Sequence, residues 1–108
     1  MSFEKKQAMV LAHKVLGVAS MGFVPSERLA SEAMEQMKRL QSQGDCVAPD
    51  AIRALAAIRE RALPGQKICQ LGMNQIMEAL RPLQMQERAE RQALRESAQA
   101  SQYRPVGG

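Results

Sequence analysis

The sequence predicts an all-α fold, a small bundle of four to five helices, and three observations predict it. The apolar residues are mostly Ala, Leu, Ile and eight Met, with only Phe3, Phe23 and Tyr103 as aromatics. Small and unbranched side chains favour helix, whereas β-branched and aromatic ones favour strand. No stretch alternates apolar and polar residues at a period of two, while apolar residues recur at steps of three and four. Gly and Pro stand mainly between these periodic stretches, where they punctuate helices. A chain of 108 residues has room for one domain with a single modest core. We expect residues 1–97 to form it and residues 98–108 to be a flexible tail.

Ser2 is placed to cap a first helix over about Phe3–Ser20. Ala8, Leu11, Ala12, Val15, Leu16 and Ala19 fill one face, with Lys6, His13 and Gly17 opposite, and Gly22 suits the left-handed turn that ends it. Pro25 is expected to open the second helix with Glu27 in its first turn, and Leu29, Ala30, Ala33, Met37 and Leu40 form its stripe. Lys38 and Arg39 fall near its end, and Gly44 follows as a C-cap. Pro49 and Asp50 open a third helix with Ile52, Leu55, Ala56, Ala62 and Leu63 on its apolar face, stopped by Leu63–Pro64–Gly65. The fourth segment runs from about Gln66 to Gln99 with Pro82 inside it. An interior proline removes a hydrogen bond and costs ~3 kcal/mol, so we expect either a kink at Pro82 or an end near Leu80 with a new helix starting at Pro82. Between Gln86 and Gln99 only Ala89, Ala93, Leu94 and Ala98 are apolar, which describes an exposed, charge-laced helix that frays.

Two readings compete for "GQKICQLGMNQIMEALRPLQMQ", residues 65–86. In the first, Gly72 is the turn of a helix-turn-helix and Asn74–Gln75 begin a DNA-reading helix. Such motifs carry a small residue about four positions before the glycine and an aliphatic anchor about six after it. This chain has Ile68 and Glu78 there. In the second, Cys69, Met73, Ile76, Leu80 and Leu83 step by four and three as a helix–helix seam able to meet a partner. Gly72 then permits close packing, and Asn74 and Gln75 lie exposed off the seam. The seam is the better fit.

Charge is uneven along the chain. Residues 1–52 balance six Lys/Arg against six Asp/Glu, whereas residues 53–108 carry nine against five, which accounts for the net +4. Arg81, Arg88, Arg91 and Arg95, with Gln84, Gln99 and Gln102, step by three or four along one face that suits phosphates or carboxylates. Glu87 should pair with Arg91 at i,i+4, and no aromatic interleaves as a platform for single-stranded nucleic acid. The methionines Met34, Met37, Met73, Met77 and Met85 lie on or beside the stripes and suit either a core or an adaptable surface.

Catalytic chemistry finds little footing. His13 is the only histidine, the acid pairs Glu32/Glu35 and Glu87/Glu90 have no matching ligands, and no phosphate loop or nucleophile elbow occurs. Cys46 and Cys69, 23 residues apart, fit no zinc or redox spacing. The apolar run behind Lys5–Lys6 is interrupted by His13–Lys14, and no stretch approaches the ~20 apolar residues of a membrane span. We therefore expect a cytoplasmic protein with reduced cysteines, no catalysis, cofactor, metal or small-molecule substrate, and no membrane. It should dock on another macromolecule, a protein partner or a second copy in a two-fold dimer. A DNA- or RNA-binding regulator using residues 53–104 is the alternative.

Overall fold

A computed structural model describes residues 2–102 of the chain. Four helices account for it: α1 (Ser2–Ser20), α2 (Glu27–Ser42), α3 (Pro49–Arg59) and α4 (Gln66–Gln102). No strand occurs among the described residues. Each helix packs on the next, α4 returns to α1, α1 and α3 meet across the diagonal, and α2 and α4 do not touch. Lys5 reaches Asp45, just past the end of α2. Lys6 lies beside Glu87, and a methyl added at Gly17 would sit 4.0 Å from the Met73 sulfur, so α1 and α4 are antiparallel. The arrangement is an up-down-up-down bundle with short loops.

The first three helices end alike. After α1 the amide of Gly22 donates to Ala19 O and that of Phe23 to Val18 O. After α2 the pairs are Gly44 to Gln41 and Asp45 to Leu40, and after α3 Arg61 to Ile58 and Ala62 to Ala57. These are Schellman closures, which need a left-handed residue one place past the cap. Gly22 (φ 92°) and Gly44 (φ 75°) supply it freely, but at α3 the position falls to Arg61 (φ 62°). Ala62 and Leu63, expected on the apolar face of the third helix, therefore lie exposed in the loop. The buried face is Ala51, Ala54, Leu55 and Ile58, with the expected Ile52 and Ala56 packed half-buried against the core. Two further expectations, both at α2, are corrected. Ser26, not Pro25, opens α2, its hydroxyl accepting from Leu29 N at 3.2 Å. Met34 and not Leu29 completes the α2 stripe.

Among the described residues the core contains no aromatic and no polar side chain. Met9, Leu16, Met37, Leu55, Ile58 and Ile76 fill it, and Ala12, Ala30, Ala33, Ala51 and Ala54, all fully buried, let the helices approach. The α1 face carrying Lys6, His13 and Gly17 was expected to look away from the core. Lys6 and Gly17 instead meet α4, because α1 is packed on three sides.

α4 passes through Pro82 without a break. Proline lacks the amide that would bond to the Glu78 carbonyl. Both residues are exposed. The helix continues through Gln102, so positions 98–102 of the expected tail are helical, and the rest, with Gly107–Gly108, lies outside the described residues.

Candidate binding surface

α4 divides into two stretches of different character. Its first turns belong to the core. Cys69, Ile76 and Leu80 are buried, and Met73 and Leu83 pack against the same cluster at its edge. The partner of the seam is thus the chain's own α1 and α3, and the seam is not a free surface for a second molecule. Gly72 explains how closely α3 and α4 meet: a Cβ there would lie 2.7 Å from Ala51 Cα and 2.9 Å from Ala51 N. Only glycine fits without moving backbone. Gly72 lies inside a continuous helix, so the turn that a helix-turn-helix requires is absent there.

Gln75 was expected to be exposed and uncommitted. It is half-buried, and its amide bonds twice to the start of α3. Asp50 N donates to Gln75 Oε1 at 3.1 Å, and Gln75 Nε2 donates to Asp50 Oδ2 at 2.8 Å. The N-cap position of α3 is Ala48, whose side chain cannot accept a hydrogen bond. Gln75 therefore does from a neighbouring helix what a capping box does within one. Asn74, beside it, is exposed.

The second stretch of α4 leaves the body. Because α1 and α4 run antiparallel, Glu87 lies level with Lys6, and α1 ends four residues further on at Ser2. From Arg88 to Gln99 every side chain is exposed. Arg81, Arg88, Arg91 and Arg95 are all exposed, and none forms an ion pair among the described residues. The expected Glu87–Arg91 pair does not form, because Lys6 Nζ holds both Glu87 oxygens at 2.9 and 2.7 Å. The other acids of this stretch turn to glutamines: Gln86 approaches Glu90 at 3.5 Å and Gln92 bonds Glu96 at 3.3 Å. The guanidinium row is left open.

Other features carry less chemistry. Among the described residues no group of three or more His, Cys, Asp or Glu could hold a metal ion. His13 is half-buried on α1. Burial pushes the Cys46 and Cys69 thiols above their ordinary value of 9.0, which suppresses the reactive thiolate. Two open grooves run along α1 and α2, one lined by Phe3, Val10, Leu11 and Lys14, the other by Glu4, Lys5 and Arg39. At the opposite end of the body the α1–α2 loop exposes Met21, Phe23 and Val24. No described helix is long and apolar enough to cross a membrane. The chain matches no protein-family model, and no curated protein or solved structure is significantly similar to it.

Proposed function

We propose that this chain is a non-catalytic binding protein of the cytoplasm that presents the second half of α4 to a protein partner. The body formed by α1, α2, α3 and the first turns of α4 is the mount, and the helix beyond Glu87 is the docking element. The observation that carries this reading is the unbroken run of exposed side chains from Arg88 to Gln99 on a helix already begun in the core. An isolated helix of this length is marginal in water. Growing it from a packed base removes the nucleation cost and presents it ordered, which lowers what a partner must supply to bind it. The two buried, free cysteines suit a reducing compartment.

The test compares the full chain with one ending at Gln86 in affinity capture from the native host, with and without nuclease. The reading expects a protein captured by the full chain, lost with the shortened one and indifferent to nuclease. Capture that survives the truncation would contradict it. The open arginines favour one second reading, a nucleic-acid regulator. Under it capture would vanish with nuclease, and affinity would fall steeply with salt.

A further inference from the structure

Arg81, Arg88 and Arg95 stand seven residues apart on α4, about 10.5 Å per interval, with Arg91 between the last two. Met77, 39% exposed, sits one turn before Arg81 on the same face. Arginine and methionine are both enriched where proteins bind proteins. None of the carboxylates beside this row forms an ion pair with it among the described residues: Glu87 is held by Lys6, and Glu90 and Glu96 approach glutamine amides. What remains is a ladder of planar forks, each matched in shape to a carboxylate.

We propose that the Met77–Arg95 face of α4, which starts at the edge of the body and continues along the arm, docks an acidic helix of a protein partner, one that carries carboxylates at heptad intervals and depends on the arginines beyond Glu87 for its hold. This rests on the reading of α4 as the docking element. Two helices packed side by side keep positions seven apart in register, so each fork meets one carboxylate. The same geometry argues against nucleic acid. A helix lodged in a groove has phosphates on both flanks. Here Glu90 lies to one side of the row and Glu78 and Glu96 to the other, and residues 84–102 balance three arginines with three glutamates. A flat protein contact touches the arginine face alone and leaves those glutamates in water.

Fluorescence anisotropy of labelled peptides on the full chain tests this. One Ala/Gln-based helical peptide of about three heptads carries Glu at every seventh position, and a second of equal composition carries its glutamates in one block. A DNA duplex is the third probe. The spaced peptide should bind about tenfold more tightly than the blocked one. Arg81→Gln, Arg88→Gln and Arg95→Gln together should abolish that preference while the circular dichroism stays unchanged. Equal binding of the two peptides would overturn the proposal, as would a preference that survives the triple substitution or tighter binding of the duplex. The two readings fail differently. Native capture that needs the arm, alongside equal binding of the two peptides, refutes only the acidic helix. Capture by the chain ending at Gln86 refutes the docking arm as well.

Discussion

At the scale of single residues the most consequential side chain is Gln75, whose amide holds the start of α3 through Asp50. Gln75→Ala removes both bonds and leaves a helix-start amide unmet, so it should cost about 1–2 kcal/mol in urea unfolding. Asn74→Ala, beside it and exposed, should change stability by less than about 0.5 kcal/mol. Equal effects would show that the interhelical cap contributes nothing. Arg61 offers a gain in the other direction. Its left-handed backbone (φ 62°) is strained for any residue with a Cβ, and its contact with Glu27, 3.8 Å between exposed partners, offers little in return. Arg61→Gly should raise the unfolding free energy by about 0.5–1 kcal/mol, and a lower urea midpoint would contradict this. Both cysteine thiols have pKa values raised by burial, so the folded state favours the neutral thiol. The stability they contribute is complete below pH 9.0 and is lost as pH rises through their folded values. Thermal melts should fall between pH 8 and 10.5 by more in the wild type than in a Cys46→Ala, Cys69→Ala chain. The part Gln75 plays was not legible in the sequence. It depends on α3 and α4 meeting across 25 positions, and no local pattern announces that.

At the scale of elements, helix type and order were legible because apolar spacing and Gly/Pro punctuation agree over most of the chain. The seam of α4 was legible as a pattern, but its partner was not. A stripe at steps of four and three packs as well on helices of the same chain as on another molecule. Ile76, fully buried within it, should cost about 2–4 kcal/mol on replacement by Ala. The ends of α1 and α2 follow from Gly22 and Gly44, while α3 stops at Arg59, ahead of the expected Leu63–Pro64–Gly65, because Arg61 does the work of a glycine. Gly72 reads from sequence as a helix weakness. In the packed pair of α3 and α4 it is a necessity, and Gly72→Ala should destabilise by about 1–3 kcal/mol despite alanine's better helix propensity. The end of α4 should matter little to folding. A chain ending at Ser97 should melt within about 5 °C of the full chain, since every described side chain beyond that point is exposed.

At the scale of the whole molecule, the projecting helix sets the shape. The radius of gyration is 18.7 Å and the longest extent 69 Å. A chain of this length folded into a sphere-like domain would have a radius near ~13 Å. Solution scattering should return the larger value, and sedimentation at rising concentration would reveal whether the free arm also pairs with a second copy. The central claim is that one helix serves as core in its first half and as a free arm in its second. Amide hydrogen exchange along α4 at low micromolar concentration tests it most directly. Amides from Cys69 to Leu80 should exchange only through global unfolding, at rates that follow the stability of the body. Those beyond Arg91 should exchange far faster, with protection typical of an unsupported helix. Protection beyond Arg91 equal to that of the seam would mean that this segment is buried against something in solution, and would contradict the claim.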